Sequence, residues 1–123
     1  MKAIQIRATG GPEVLELAEL PIPVPGPGQV LIRIEAIGVN FIEIYLRKGT
    51  YKAALPLIPG SEAAGTIEEL GSGVNGFKAG DAVASVSVLG SYAEYALVPA
   101  AQLIKVPAGL SPEKAAAAML QGM

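Results

Sequence analysis

The sequence predicts a mainly β fold with short helices, in which the strands form a small barrel that is closed or partly open. Three observations lead to this prediction. Short runs that alternate apolar and polar side chains recur along the chain, and clusters of glycine and proline separate them. Helix-forming stretches are limited to one short segment in mid-chain and one near the C-terminus. No Gly-x-Gly-x-x-Gly sequence follows a strand and opens a helix, so nothing indicates a parallel βαβ unit.

Seven stretches have strand character, and turn residues bound them. They are residues 2–7, 14–20, 29–38, 66–68, 82–89, 91–98 and 103–106. The first two, joined by a turn at Thr9–Glu13, predict a β-hairpin. Prolines stand at every second position from 21 to 27, which predicts an extended connector because proline has no amide donor. Residues 29–38 have the most regular alternation and are therefore the principal predicted strand.

Both predicted helices begin at residues that are favourable for helix initiation. Asn40 precedes Phe41–Lys48 and Gly49 follows it, and these are residue types preferred at the two ends of a helix. Ser111 followed by Pro112 predicts the start of the second helix, because serine is a good N-cap and proline is favoured at the first helical position. The alanine-rich run that follows Ser111 and Pro112 in the sequence has a high helix propensity.

The stretch Pro59–Val74 has the least random sequence in the chain. Its first proline and glycine predict a turn, and its spaced glycines permit a bend or a close approach of backbone or ligand. One acid, Glu62, stands among small residues. The pattern favours a glycine-bent barrel strand, and the functional alternative places Glu62 at the edge of a site.

Composition excludes several classes of function. The 123 residues contain no Cys and no His, which removes disulfides, thiol nucleophiles, Ser–His triads and zinc sites built from those residues. The net charge is −2 and no Lys/Arg run occurs, so a nucleic-acid partner is not expected. No apolar stretch approaches the roughly 18 residues of a membrane span, and the expected location is the cytoplasm. Charged residues make up 16 % of the chain against a usual ~25 %, which suggests an apolar surface that something else covers.

The pattern Gly-Ser-Glu-x-x-Gly-x5-Gly-x2-Val, which starts at Gly60, resembles the signature of the medium-chain dehydrogenase/reductase superfamily. Zinc alcohol dehydrogenases of that family carry His where this chain has Ser61. They carry a cysteine zinc ligand where this chain has Asn40. Both changes agree with the lack of Cys and His in the whole chain, and the resemblance therefore implies that there is no catalytic metal site.

Further local matches resemble the zinc-free NADPH:quinone oxidoreductase, or zeta-crystallin-like, branch. The first match is Gly10–Leu15, and the second is Asn40–Glu43 together with Tyr45, Arg47, Gly49 and Tyr51. The other two are Gly80–Asp81 together with Val83, and Gly90–Tyr95. The family usually has Arg where this chain has Ala82. The resemblance extends over essentially all of residues 1–123. It implies a GroES-like catalytic domain that ends in the helix leading toward a Rossmann domain, with the Rossmann domain itself absent.

The resemblance also implies roles for particular side chains near the cofactor. Asn40 would lie beside the nicotinamide and the substrate, and its alternative role is that of helix N-cap. Phe41, Ile42 and Tyr45 would contact the nicotinamide end of NADPH. The alternative for Tyr45 is a core aromatic position on the short helix.

Three more residues are implied on the substrate side. Arg47 and Tyr51 would polarise a quinone oxygen as negative charge develops on it, and their alternative is a solvated loop position. Glu62 would orient its neighbours near the former metal position, or else would form an ion pair with Arg47 or Lys52. Tyr92 and Tyr95 cannot both face inward from one continuous strand unless a bulge intervenes, so at least one of them is expected to be structural.

The implied chemistry is zinc-independent hydride transfer from NADPH to a quinone or another conjugated carbonyl. The 123-residue chain is expected to fold but to be inactive without a cofactor-binding domain. Two alternatives remain. One is an excised or engineered isolated domain that acts as a folding or self-association module, and forms homo-oligomers through its exposed apolar surface. The other is a GroES-like binding module, since a fold alone does not fix a function.

Overall fold

The fold consists of antiparallel strands and two short α-helices, in a computed structural model that describes residues 1–50 and 53–121, with side chains through residue 118. The elements are β1 (Lys2–Ile6), β2 (Leu15–Glu19), β3 (Gln29–Ile37), α1 (Phe41–Lys48), β4 (Ala63–Leu70), β5 (Ala82–Ser85), β6 (Tyr95–Pro99), β7 (Ile104–Lys105) and α2 (Pro112–Gln121). Single 3-10 turns occupy Pro12–Val14 and Ala100–Gln102. No helix in the described part of the chain is long and apolar enough to cross a membrane.

The strands form two sheets. β1 and β2 make the predicted hairpin, and the other strands form a five-stranded sheet in the order β6-β3-β4-β5-β7 with antiparallel pairing throughout. Single bridges from Ala3 to Ala93 and from Ile6 to Leu57 attach the hairpin to the rest of the molecule. The mainly β prediction is confirmed. Over the described residues the strands do not close into a barrel, because β6 and β7 lie at opposite edges of the larger sheet.

The long strand β3 lies between β4 and β6, and both of its faces contribute to packing. Val30, Leu31 and Ile32 are at most 3 % exposed, so the alternation in the sequence does not separate a dry face from a wet one over this part of the strand. The main core contains Val30, Ile32, Ala63, Ile67, Val83, Val88, Ala96, Val98 and Leu103. This core includes side chains of both β3 and β4. It therefore holds in place the residues that follow β3 and those that precede β4.

Helix α2 covers the other face of the sheet with small side chains. Ala115 and Ala116 pack against Ala64 of β4 and Ala84 of β5 in a second buried cluster. The hydroxyl of Ser111 accepts a hydrogen bond from the Lys114 N–H at 3.2 Å, as expected for the predicted N-cap. Alanine on both sides lets the helix approach the sheet closely.

Strands β5 and β6 are shorter than the sequence predicts, and local hydrogen bonds explain the difference. β5 ends at Ser85, whose hydroxyl accepts a bond from the Ser87 N–H at 2.9 Å and turns the chain. The N–H of Tyr92 donates to the Pro59 carbonyl at 3.0 Å, so the residues before β6 bond to the segment ahead of β4. β4, in contrast, is longer than predicted and extends over Ala63–Leu70.

Candidate active site

The junction between β3 and α1 places Asn40 at the centre of the candidate site. Asn40 has an extended backbone (φ −128°, ψ 158°) and stands immediately before Phe41–Lys48, with the bounds that the sequence predicts. Its N–H donates to Glu43 Oε1 at 2.8 Å, and the Glu43 N–H donates to the Asn40 carbonyl at 3.2 Å. Gly49 ends the helix in the left-handed region at φ 85°. Asn40 is therefore the N-cap, and its side chain also extends to a second element.

That second element is the segment preceding β4. Asn40 Nδ2 donates to Glu62 Oε1 at 3.1 Å, and the Glu62 residue is 2 % exposed. The Gly38 N–H donates to the Glu62 carbonyl at 2.8 Å, and a Cβ at position 38 would overlap the Glu62 carboxylate. Two residues separated by 22 positions in the chain thus meet because Gly38 leaves space for the buried acid. Sequence reasoning selected Asn40 and Glu62 but did not select Gly38.

Glu43 is a second residue that sequence reasoning passed over as a site candidate. It is 5 % exposed, and its Oε1 accepts from both the Asn40 N–H and the Tyr92 hydroxyl, the latter at 3.3 Å. Burial, followed by the neighbouring Glu43 carboxylate and the hydrogen bond to it, raises the pKa of Tyr92 to about 12. The Asn-x-x-Glu spacing is of the capping-box type and could have identified Glu43 as a partner of Asn40.

A cavity of about 230 Å³ adjoins these polar groups. It is lined by Leu15, Val39, Asn40, Glu43, Ile44, Arg47, Pro59 and Tyr92. The Arg47 side chain donates through Nε to the Gly10 carbonyl at 3.2 Å, which holds the guanidinium beside the hairpin. The cavity therefore combines apolar walls with an amide, a guanidinium, a carboxylate and a phenol. The predicted residues Tyr51 and Lys52 lie outside the described residues.

Helix α1 has a polar inner side and an apolar outer side. Its buried residue is Glu43, whereas Phe41 is 76 % exposed, Ile42 46 % and Tyr45 43 %. The alternative that Tyr45 is a core aromatic is therefore wrong, because the helix turns Glu43 inward. Val39, Asn40, Phe41 and Ile44 line a further cavity of about 190 Å³ on this side. The outer side of α1 thus presents large apolar groups next to Asn40.

Tyr92 and Tyr95 have different surroundings. The segment containing Tyr92 ends before β6 begins at Tyr95, so the two residues do not share a continuous strand. Tyr92 lines the cavity beside Asn40, whereas Tyr95 lines a separate apolar cavity of about 290 Å³ together with Met1, Leu20 and Leu97. Of the two tyrosines, Tyr92 is therefore the one that lies at the candidate site.

The donor set around Asn40 does not match a catalytic zinc site. Ser61 is half-buried, and its carbonyl accepts from the Val88 N–H at 3.0 Å. Among the residues that the structure describes, no group of three or more His, Cys, Asp or Glu side chains could hold a metal ion. Zinc prefers thiolate, imidazole and carboxylate ligands, and the Asn40 amide with the carboxylates of Glu43 and Glu62 supplies no thiolate or imidazole.

Comparisons with known proteins agree with this geometry. The family model for the alcohol dehydrogenase GroES-like domain matches residues 26–108. The quinone oxidoreductase of Pseudomonas aeruginosa is 47 % identical over 124 residues, which cover 99 % of this chain and 38 % of that protein. The human quinone oxidoreductase is 45 % identical over 121 residues, which cover 95 % of this chain and 37 % of that protein.

Solved structures show the same relationship. A mycobacterial protein complexed with NADPH superposes with a TM-score of 0.97 at 47 % identity, and Escherichia coli quinone oxidoreductase complexed with NADPH superposes with a TM-score of 0.96 at 39 % identity. In both cases the match covers 99 % of this chain and 38 % of the other, so the chain spans less than half the length of these proteins. The chain belongs to the alcohol dehydrogenase GroES-like domain family, within the medium-chain dehydrogenases/reductases, and is similar to their quinone oxidoreductases.

Proposed function

We propose that residues 1–123 form the substrate-facing domain of an NADPH-dependent quinone oxidoreductase that reduces a quinone, or another conjugated carbonyl, without zinc. One observation supports this proposal above the others. The Asn40 side chain is fixed by the buried Glu62 at the edge of an apolar cavity, in a chain that is similar to quinone oxidoreductases. An amide at that place provides hydrogen-bonding capacity where metal enzymes of the family place a metal ligand.

The cavity suits a flat and uncharged substrate. Leu15, Val39 and Ile44 provide apolar surface against which a quinone ring can pack. Arg47 lies in the same cavity, and a guanidinium has more N–H donors than the one that bonds to Gly10. Donors that face a carbonyl oxygen stabilise the negative charge that develops on it during reduction. We assign the stabilisation of this charge to Arg47. The resemblance to the quinone oxidoreductases implies the same role for Tyr51.

Asn40 and the outer side of α1 are the proposed contact for the cofactor. Phe41, Ile42 and Tyr45 expose apolar area beside Asn40. An uncharged ring such as nicotinamide would gain from burial against these side chains. NADPH supplies the hydride when it is bound, and the protein supplies orientation and electrostatics. The contribution of these residues is to hold the nicotinamide end next to the cavity that contains the substrate.

The absence of Cys and His supports a mechanism without a metal ion. A quinone is already electrophilic, so its reduction does not depend on polarisation by a Lewis acid. Glu62 has the role of orienting Asn40, since its Oε1 accepts the hydrogen bond from the Asn40 amide at 3.1 Å. In this proposal Glu62 stays a hydrogen-bond acceptor and donates no proton to the substrate.

The 123-residue chain by itself is proposed to bind NADPH weakly. It spans 38 % of the length of its quinone oxidoreductase relatives, and its described strands pair antiparallel throughout. Its apolar α1 surface also favours self-association or cover by another domain. Titration calorimetry should detect no submicromolar NADPH binding, and sedimentation at several concentrations should show association. Tight NADPH binding, or a strict monomer at high concentration, would contradict these two expectations.

A chimeric enzyme tests the function itself. The matching segment of the Pseudomonas aeruginosa quinone oxidoreductase is replaced by residues 1–123, and NADPH oxidation is followed with para-benzoquinone. Asn40→Ala should lower kcat/KM by about 100-fold, because a misplacement of the nicotinamide by about 1 Å can cost that much. Asn75→Ala serves as the matched control, because Asn75 is exposed in the connection between β4 and β5 and does not line the cavity. An inactive chimera, or equal rates for the two variants, would overturn the proposal.

A further inference from the structure

We propose that Tyr92 is a positioning residue, whose hydroxyl acts through the Glu43 carboxylate to hold Asn40 in the orientation required for quinone reduction. This inference rests on the proposed function and adds to it a further residue that lines the cavity. Nothing in the sequence pattern joins Tyr92 to Asn40. The connection is visible in the side-chain contacts.

The contacts form a continuous path of hydrogen bonds. Tyr92 donates its hydroxyl to Glu43 Oε1 at 3.3 Å, and the same oxygen accepts the Asn40 N–H at 2.8 Å. Asn40 in turn donates through Nδ2 to Glu62 Oε1 at 3.1 Å. Tyr92, Glu43 and Asn40 all line the cavity, and the path continues from Asn40 to the buried Glu62. One carboxylate oxygen of the buried Glu43 accepts from Asn40 and from Tyr92, which lies 49 positions after Glu43 in the chain.

Both ends of this path are attached to the same short segment. The Tyr92 N–H donates to the Pro59 carbonyl at 3.0 Å, and Glu62 lies three residues after Pro59. The Tyr92 carbonyl also accepts from the Ile4 N–H at 2.8 Å, which fixes the tyrosine backbone to β1. Pro59 is itself buried. Asn40 is therefore held from two directions by groups whose spacing the backbone determines.

The chemistry of the pair favours a fixed geometry. Burial and the neighbouring Glu43 carboxylate raise the pKa of Tyr92 to about 12, so the hydroxyl remains a donor at neutral and mildly alkaline pH. Glu43 is 5 % exposed, and a buried carboxylate that loses a donor is poorly compensated by water. Removing the Tyr92 hydroxyl should therefore let Glu43 and the start of α1 change orientation.

A structural role and a positioning role predict different kinetic results. If Tyr92 only stabilised the fold, Tyr92→Phe would lower the unfolding midpoint and leave the turnover of folded enzyme unchanged. If it positions Asn40, Tyr92→Phe should lower kcat while the KM for quinone changes little, since the apolar walls of the cavity remain. The phenyl ring of the variant fills the same volume, so the change is limited to one hydroxyl.

The experiment uses the chimera described above and compares Tyr92→Phe with Tyr95→Phe. Tyr95 is the matched control, because it is half-buried and lines the separate apolar cavity. Tyr92→Phe should lower kcat about 10-fold, with KM within about twofold, for the loss of one orienting hydrogen bond. Glu43→Gln retains an acceptor oxygen and should keep more activity than Glu43→Ala. Tyr95→Phe should match the unsubstituted chimera.

A second measurement separates the positioning proposal from the proposed function. NMR of the 123-residue chain follows the Asn40 backbone and side-chain amide resonances in the same variants. Tyr92→Phe should shift and broaden both resonances, and Tyr95→Phe should not. If the unsubstituted chimera is inactive, the proposed function fails, and the resonances still test whether Tyr92 positions Asn40. Unchanged Asn40 resonances, or an active chimera whose kcat is unaffected by Tyr92→Phe, would overturn the inference.

Discussion

Gly38→Ala should be one of the most destabilising single-methyl changes in this chain. A Cβ at position 38 would overlap the Glu62 carboxylate, which is 2 % exposed and has little room to withdraw. The φ angle of Gly38 is not in the left-handed region, so the backbone can accept alanine and the cost is steric. Displacement of Glu62 should break its bond with Asn40 Nδ2, a loss of about 2 kcal/mol for a bond to a charged group. Overpacking adds about 1–3 kcal/mol.

The free energy of unfolding is therefore expected to fall by about 3–5 kcal/mol in total. Urea denaturation of the 123-residue chain measures it, with Gly26→Ala as control. A Cβ at position 26 would meet the flexible Gln29 side chain at 3.3 Å, which can move at little cost. Gly38→Ala should also cost much less in a Glu62→Ala background, because the atoms that it would overlap are then absent. Equal losses for Gly38→Ala and Gly26→Ala, or the same loss with and without Glu62, would refute the reasoning.

Three further predictions concern the core and the site. Ser91 Oγ is fully buried and has no hydrogen-bond partner among the residues that the structure describes. Ser91→Ala should therefore leave stability unchanged or raise it by up to about 1 kcal/mol, whereas Ser85→Ala should lower it by about 1 kcal/mol in denaturant titrations. Ala116 is 1 % exposed, so Ala116→Leu should cost about 1–3 kcal/mol by overpacking, and Ala117→Leu on the exposed side should be near neutral in the same assay. The pKa of Tyr92 is raised from 10.0 to about 12, so the unfolded chain loses this proton first. The free energy of unfolding should then fall as the pH rises from about 10 to about 12. Tyr92→Phe should flatten that decline, and an equally steep decline in the variant would contradict the assignment.

The sequence predicted the local features of the site better than the contacts between distant segments. The bounds of α1 and the capping position of Asn40 follow from short-range rules, because capping depends on adjacent residues. The inward orientation of Glu43 could not be obtained in this way. It depends on a tyrosine 49 positions away, which short-range rules do not bring next to the helix. A polar helix face can be buried when another segment supplies the partners.

The predicted lengths of β5 and β6 were wrong for a similar reason. Alternation indicated that 82–89 and 91–98 were continuous strands, but a strand continues only where a neighbour accepts its hydrogen bonds. Past Ser85 the chain bonds to its own hydroxyl, and around Tyr92 it bonds to the segment at Pro59. The second of these departures places Tyr92 beside Pro59 in the lining of the cavity. The irregular segments therefore carry the part of the site that periodicity could not locate.

The most direct test of the account is quinone reduction by the chimera in the presence of excess metal chelator. The account predicts NADPH-dependent reduction of para-benzoquinone at the same rate with and without chelator, and a loss of about 100-fold in kcat/KM for Asn40→Ala against Asn75→Ala. Activity that chelator removes and zinc restores would contradict the account. So would activity that does not depend on Asn40.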